Sequence, residues 1–520
     1  MQLTQPIHRN AQVQADSVAT YNGARSQTWA ELKLRISKMA SFLNGLGVSE
    51  GDRVSILALN SDRYYECFFA IPWAGAVVVP LNTRWSVQEN IYSNNDAQVS
   101  VLIADDNFID SALSIAKQVK TIMKVVYIGE NSAPEGMIDA ELILADAQPM
   151  DDVCRRGEDL AGIFYTGGTT GFPKGVMLSH KNLVSNALSN LSSLDLNEAN
   201  IRYLHAAPMF HMADVCTSLT ATLSGSAHIF IPAFSAKSVI AAIDSFKITH
   251  VLLVPTMISM LLQEPQLQQT QLSSLKAIVY GASPMTEGIL KAVLEQLPNV
   301  AFYQAYGQTE LSPVVTVLRP EYHCFDGEFS GKTSSAGQCN IGCQIKVVDE
   351  QGEQLATGEV GEVAATGPNV MQGYWNNPEQ TEKAMLDGWV LTGDAGYLDE
   401  DGFLFLVDRK KDMIISGGEN VFSAEVENVV SLHAAVQEVV VVGIPSKQWG
   451  EEVHAIVRLK PGTNATADEI IAFAKQRIAG YKCPRSVEFQ TQAFPITGAG
   501  KIRKNEIRAA FWKGSNRQVN

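Results

Sequence analysis

The sequence has little that would tie it to a membrane, to nucleic acid or to an oxidising compartment. Only 18% of its 520 residues are charged, and 55 acidic against 40 basic side chains leave a formal net charge of −15. That balance lacks the basic surplus on which non-specific binding to DNA or an anionic bilayer depends. Cysteine is sparse and poorly spaced for cross-linking. There are seven, Cys67, Cys154, Cys216, Cys324, Cys339, Cys343 and Cys483, with no CxxC pair. Cys339 and Cys343 stand four apart, without the histidine or second pair that a zinc set needs. Reduced, structural thiols in a cytoplasmic protein are expected. Long apolar runs are also missing. The longest, residues 67–81, is too short to span a bilayer and contains Pro72 and Pro80. It reads as a buried helix end running into a core strand. The N-terminal stretch has no apolar segment of the kind a secretory signal requires. No repeat period or low-complexity tract is evident. With 46% apolar residues, the composition excludes a disordered chain, a collagen and a coiled-coil rod.

What is present is a long chain, enough for about three domain-sized units and for a large core without disulfide or metal staples. Strand and helix patterns alternate. Thr28 and Glu31 have capping-box spacing before a helical pattern with Leu34, Met39, Phe42 and Leu43, which should stop near Gly45 or Gly47. Apolar runs of strand length lie at 54–59, 99–104, 125–128, 251–254 and 277–280. Such alternation predicts α/β layers with mostly parallel sheets. The texture changes near residue 400. A turn at Asp399-Glu400-Asp401-Gly402 leads to a strand at 403–407 and then to the charged run Asp408-Arg409-Lys410-Lys411-Asp412. Beyond it Ser423 can cap a helix through about Leu432, strands are expected at 438–443 and 453–459, and Thr466 with Glu469 should open a helix ending at Gly480. These signals divide the chain into an N-terminal domain, 1–408, a junction, 409–412, and a smaller α+β C-terminal domain, 413–520.

The strongest local signal is Tyr165-Thr166-Gly167-Gly168-Thr169-Thr170-Gly171-Phe172-Pro173-Lys174-Gly175, after a probable strand at 162–165. Glycines let backbone amides turn toward an anion, and a nest of such amides holds phosphate. The threonines add hydroxyl donors, with Thr170 in reach of a magnesium ion, and Lys174 adds a full charge. The order is not that of a Walker A loop, which needs GK[ST] after its spacer. A second motif, Tyr303-Gln304-Ala305-Tyr306-Gly307-Gln308-Thr309-Glu310, offers tyrosines to wall or stack on a base, Thr309 to donate to an α-phosphate oxygen, and Glu310 as a hard oxygen ligand for Mg²⁺. Gly281, Ala282 and Ser283 end a strand in small side chains, which suits a flat ring against backbone. Asp394, after a tight turn in Trp389-Val390-Leu391-Thr392-Gly393-Asp394, is a carboxylate able to accept both hydroxyls of a ribose diol. Three further segments are weak on their own: Pro208-Met209-Phe210-His211-Met212-Ala213-Asp214, where Asp214 reads as solvent-facing or structural; Ser416-Gly417-Gly418-Glu419-Asn420, which reads as a turn; and Pro495-Ile496-Thr497-Gly498-Ala499-Gly500-Lys501.

In this order the motifs resemble those of the adenylate-forming superfamily, which includes acyl-CoA synthetases, aryl-CoA ligases, luciferases and peptide-synthetase adenylation domains. The match spans residues 165–504. One departure is Gly167, where most members have serine and fatty-acyl-CoA synthetases commonly have glycine. The resemblance implies a large N-terminal domain of layered sheets with a β-barrel-like subdomain and a small mobile C-terminal domain. It implies ATP, Mg²⁺ and coenzyme A as cofactor and co-substrates, Lys501 as the lysine of the adenylation step, and His211 beside the reacting carboxylate. It also implies Arg409 as a second ribose contact, Lys411 as the pivot of a domain rotation, and Gly417, Gly418, Glu419 and Asn420 along the pantetheine channel. Two anions must be driven together in such a reaction, so charge neutralisation and in-line geometry carry it.

The candidate acyl-pocket segments, 208–213, 254–256, 280–283 and 305–315, hold Met, Phe, Val, Leu and Ala and no Arg or Lys. A medium- or long-chain fatty acid is expected as the small-molecule acid, with a benzoate- or cinnamate-like acid next. A carrier-protein acceptor, a luciferase-type oxygenase and a silent nucleotide-binding regulator remain open. So does the oligomeric state, a homodimer included. The absence of a fused carrier domain favours a free-standing ligase.

Overall fold

The protein is described here from a computed structural model. It covers residues 1–512 apart from 168–172, 199, 269–271, 410–411, 418 and 498–500, with the backbone alone at Gln268 and Arg409. Of the residues assigned above, Gly168, Thr169, Thr170, Gly171, Lys411 and Gly418 lie outside the described residues, as does the Arg409 side chain.

The first capping box forms as its spacing predicts. Thr28 accepts from the Glu31 amide, Glu31 accepts from the Thr28 amide, and the helix Trp29–Gly45 follows. Residues 67–81 divide into the end of a buried helix, Asp62–Trp73, and a strand, Val77–Pro80, buried along its length. Pro72 sits in the last turn of that helix, so the one helical bond its missing N–H removes, to the Phe68 carbonyl, falls near the helix end.

Two large sheets carry the N-terminal part, of eight and nine strands among the described residues. In the first, Val77–Pro80, Arg53–Leu57, Val101–Ala104 and Lys124–Tyr127 run parallel, in that order. The antiparallel hairpin Leu160–Thr166 and Lys174–Ser179 joins next to Val77–Pro80, and the short strand Gly373–Tyr374 adds to its outer edge. In the second, Arg202–His205, His250–Leu253, Ala277–Gly281 and Ala301–Gly307 are parallel neighbours, followed by antiparallel Val314–Leu318. The apolar runs at 54–59, 99–104, 125–128, 251–254 and 277–280 fall on these strands within two residues at either end. Strands covered on both faces carry near-continuous Val, Ile and Leu, which is why those runs are legible.

A third, antiparallel sheet of five strands stands where a barrel-like subdomain is implied. Its Trp389–Leu398 strand pairs with Gly361–Thr366 on one side and Leu404–Arg409 on the other. The fourth sheet begins at Ile414–Ser416 and includes Val436–Ser446, Gly450–Leu459 and Ser486–Phe489. With it go the helices Ser423–Ser431, Ala467–Lys475 and Lys504–Trp512. The chain passes from the third sheet to the fourth between Arg409 and Ile414.

Three sequence readings change. Ser423 does not cap its helix but is the first helical residue. Its amide and hydroxyl both donate to the Asp408 carboxylate, at 2.5 and 2.7 Å, so the cap comes from outside. The helix opened by Thr466 ends at Lys475, five residues before Gly480, because the chain turns there to bring Ile478 and Cys483 onto the core. Asp394 does not follow a turn. It lies inside a strand, in a bulge where 392–394 stand opposite Val363 alone, with Gly393 at φ +72°. For Asp214 the structural alternative holds, since it is fully buried. None of the seven cysteines is bonded to another. No helix among the described residues is long and apolar enough to cross a membrane.

Candidate active site

The glycine-threonine loop hangs from a two-stranded stem. Thr166 and Lys174 form the last pair of the Leu160–Thr166 and Lys174–Ser179 hairpin, so Lys174 stands at the base of the loop and not at its tip. Its ammonium donates to Gln380 Oε1 at 2.7 Å and sits 5.0 Å from the centre of the Tyr374 ring. Among the described residues nothing lies within 4 Å of where a Cβ at Gly167 would stand.

The ends of two parallel strands form the next wall. Gly281 and Ala305 are register partners, and a Cβ at Gly281 would lie 2.1 Å from the Ala305 carbonyl oxygen. Glycine is required there by the neighbouring backbone, whatever the ligand. Ala282 then takes a left-handed conformation, φ +65°, and turns Ser283 away from the strand line. Gly307 is constrained in the same way, since a Cβ would fall 1.7 Å from the Pro313 carbonyl oxygen. Along Ala301–Gly307 the side chains alternate. Gln304 accepts from the Tyr280 hydroxyl at 3.1 Å, and the Tyr306 hydroxyl donates to Asp394 at 2.8 Å. Asp394 is itself the register partner of Arg409. The tyrosine and the two residues assigned to the ribose thus share one corner, although they come from three strands. Tyr303, with Ala305 two residues on, departs from that arrangement. It faces the other side of the sheet, is buried with Leu194 and Ile201, and donates to Asp195 at 2.6 Å. Its hydroxyl is taken and its ring is core.

Thr309 and Glu310 follow in a single 3₁₀ turn, Thr309–Leu311. Glu310 Oε1 accepts from the Tyr374 hydroxyl at 2.8 Å, and the Glu310 carbonyl accepts from the Met371 amide at 2.9 Å. No cluster of three or more His, Cys, Asp or Glu able to hold a metal exists among the described residues. A lone carboxylate fits Mg²⁺, which is commonly held through one or two carboxylates together with substrate phosphates and water. It would not fit a resident zinc.

His211 is the N-cap of the helix Met212–Ser224, and its Nδ1 accepts from the Ala213 amide at 3.2 Å. An imidazole accepting at Nδ1 keeps its proton on Nε2, where it can donate. Burial, and then the charge of Lys501, push its pKa down to about 3. It is therefore neutral at any working pH. Lys501 thus lies within electrostatic range of His211. The residues flanking Lys501 are tied together: Ile496 bridges Ile502, and the Thr497 hydroxyl accepts from the Lys501 amide at 3.1 Å. Arg84 of the N-terminal part donates to the Thr497 carbonyl at 3.0 Å and ties that segment to the N-terminal part. Gly417, Glu419 and Asn420 stand on a different feature, the exposed hairpin of Ile414–Ser416 and Glu419–Val421. There Gly417 (φ +65°) leaves no room for a Cβ against Trp449.

Sequence reasoning misses what holds these groups. The helix behind His211 is anchored by a buried chain. Asp214 meets His205 at 2.8 Å and Tyr203 at 3.2 Å, His205 meets His228 at 3.0 Å, and His228 meets Tyr65 at 3.2 Å. Tyr374, Gln380 and Arg84 are likewise invisible in advance. The one signal for Tyr374 is the aromatic pair after a glycine in Gly373-Tyr374-Trp375.

The sequence profile of AMP-binding enzymes matches residues 7–375, and that of the AMP-binding enzyme C-terminal domain matches 425–501. The chain is 38% identical to a feruloyl-CoA synthase of Amycolatopsis sp, over 97% of this chain and 98% of that protein. It is 34% identical to the medium/long-chain-fatty-acid–CoA ligase FadD8 of Mycobacterium tuberculosis, over 95% and 87%. Among solved structures it is similar to the anthranilate CoA ligase AuaEII in complex with anthranoyl-AMP (TM-score 0.91, 27% identity, 98% and 97% covered). It is also similar to ATP-bound MatB from Rhodopseudomonas palustris (TM-score 0.87, 29% identity, 99% and 100% covered).

Proposed function

This chain belongs to the AMP-binding enzyme family and is an acid–thiol ligase of the AMP-forming type, and on that premise we propose that its acid is aromatic, of the arylpropenoic kind, and that Lys501 drives the first half-reaction. The ligase uses ATP and coenzyme A, and Mg²⁺ is the usual ion of the family.

In the first step a carboxylate oxygen of the acid attacks the α-phosphorus of ATP. The bond to the β-phosphate oxygen breaks, leaving an acyl-adenylate and pyrophosphate. In the second, the coenzyme A sulfur attacks the acyl carbon, AMP leaves, and the thiol proton goes to solvent. The proposed division of labour follows from where the groups stand. Lys501 neutralises repulsion between the acid and the α-phosphate. Neutral His211 offers its Nε2–H to the acid without adding or taking charge. Thr309 donates to the α-phosphate, Asp394 accepts from the ribose, and Lys174 faces the departing pyrophosphate. Glu310 would hold the magnesium ion, which supplies charge neutralisation on the phosphates when bound. The observation that carries this reading is the Arg84 bond to the Thr497 carbonyl, which holds the segment before Lys501 against the N-terminal part and brings its charge within range of His211.

The acid is proposed from two supports. The segment around His211 carries Met209, Phe210 and Met212, all buried and none charged, which favours an acid with an uncharged body. The 38% identity to feruloyl-CoA synthases, against 33–34% to fatty-acid–CoA ligases, favours an aromatic body. A fatty acid is the second reading, supported by the same apolar lining. An AMP-release screen over cinnamic, benzoic and C8–C16 acids tests the choice. Arylpropenoic acids should give the highest kcat/KM, and a fatty acid ahead of them by ten-fold or more would overturn the proposal. Mass spectrometry of the product then separates free coenzyme A from a carrier-protein acceptor.

A further inference from the structure

We propose that Tyr374 is a positioning residue for adenylation, a spacer and tether that keeps the phosphate-loop lysine apart from the metal-side carboxylate and aims both. The inference rests on the ligase reading and assigns to that site a residue no motif pointed to.

Tyr374 reaches the site on a two-residue strand. It pairs with Val176 on the strand that begins at Lys174, and the next residue, Trp375, donates its amide to the Gly175 carbonyl at 2.7 Å. Backbone hydrogen bonds thus set the ring against the base of the phosphate loop. The ring face then meets the Lys174 ammonium at 5.0 Å, a cation–π distance. The hydroxyl, on the opposite end of the ring, donates to Glu310 Oε1 at 2.8 Å. The same segment takes hold of the Glu310 turn through the Met371 amide, 2.9 Å from the Glu310 carbonyl. Tyr374 is buried, with only 8% of its surface exposed. A phenol is protonated at neutral pH and a carboxylate has no proton to give, so Tyr374 is the donor to Glu310.

The arrangement matters because Lys174 and Glu310 carry opposite charges and have different tasks. In a cleft of low dielectric, two such groups attract strongly. Paired with each other, neither would be available, the ammonium for phosphate or the carboxylate for a cation. Tyr374 satisfies each with a different part of one side chain. It occupies the space between them and ties up one carboxylate oxygen, which fixes the direction in which the other points. Outer contacts of this kind, when removed, typically cost about 10–100-fold in metal affinity.

The test uses the full-length enzyme and Tyr374→Phe, which keeps the ring and its cation–π contact and removes only the hydroxyl. Binding of Mn²⁺ together with ATP, followed by electron paramagnetic resonance, should weaken about 10-fold. The Mg²⁺ concentration giving half-maximal pyrophosphate–ATP exchange should rise by a similar factor, with kcat largely restored at saturating Mg²⁺. Thioester formation from supplied acyl-AMP should not change. A second variant, Tyr374→Leu, removes the spacer too and should lose exchange at every Mg²⁺ concentration. Unaltered Mn²⁺ affinity and Mg²⁺ dependence in Tyr374→Phe would overturn the proposal. An equal loss in both half-reactions without a change in metal dependence would do so as well, by showing a merely structural role. Wild-type enzyme that exchanged no pyrophosphate with any acid would instead sink the ligase reading, and Mn²⁺–ATP binding would still decide the role of Tyr374.

Discussion

His211, His180, His250 and His323 are held down to about 3, 4, 4 and 4, and His228 well below its ordinary value, in each case mainly by burial. All five are neutral in the native protein and charge on unfolding, near an ordinary pKa of about 6.5. Their folded values lie below the unfolded one, so the unfolded chain binds more protons, and the stability they contribute is lost as pH falls through 6.5 toward 4. Buried carboxylates with raised values, Glu66, Asp105 and Glu427 among them, oppose the trend at its acid end by taking up protons in the native state. The thermal midpoint should therefore drop by several degrees, roughly, between pH 7.5 and 5.5. A flat profile over that range would contradict the burial of these rings. Activity between pH 6 and 9 should carry no limb from His211. At this scale the sequence marks residues whose chemistry is announced by adjacent residues: Glu310 after Thr309, Lys174 after the glycines. Tyr374 goes unmarked because its partners, Lys174 and Glu310, are remote in the chain.

Strands position the nucleotide side of the cleft, and their spacing is set by backbone against backbone. The small residues at 281–283 read in the sequence as room for a flat ring. In the fold Gly281 has a prior obligation, since the Ala305 carbonyl oxygen occupies the place of its side chain. Gly281→Ala should push the Ala277–Gly281 and Ala301–Gly307 strands apart at their ends. We expect a loss of about 1–3 kcal/mol, the usual cost of overpacking, together with a raised KM for ATP, measured by denaturant unfolding and ATP titration. Wild-type stability with normal ATP affinity would show that the strands can yield. Elements whose burial pattern repeats along the chain were legible: the parallel strands, both capping boxes, the helix-to-strand passage at 67–81. Those decided by a distant group were not. The cap of the Ser423–Ser431 helix is Asp408, and the bulge at Asp394 is forced by its two neighbouring strands.

Over the whole molecule, contacts between the two ends of the chain define the pose. Arg84 holds the Thr497 carbonyl, the Asn428 side chain accepts from the Glu287 amide at 3.1 Å, and Asp408 bonds Ser423 across the junction. This pose delivers Lys501 and leaves Glu419 and Asn420 exposed on their hairpin. If the ligase alternates between poses, one substitution should stop each half-reaction. Lys501→Ala should abolish acyl-adenylate formation and spare thioester formation from supplied acyl-AMP. Lys411→Pro, by stiffening the junction, should do the reverse. Equal loss of both steps in either variant, followed by pyrophosphate exchange and thioester assays, would argue against alternation. The amino-acid sequence by itself determined the α/β layering, the order of the motifs and the reaction class, because each is written in a few contiguous residues or in a short hydrophobic period. Only the tertiary structure decided that Tyr303 belongs to the core and Tyr306 to the corner of Asp394, that the charge of Lys501 reaches His211, and that one phenol touches both Lys174 and Glu310. Those relations depend on how sheets stack and which strands pair, and no local run of residues carries that information.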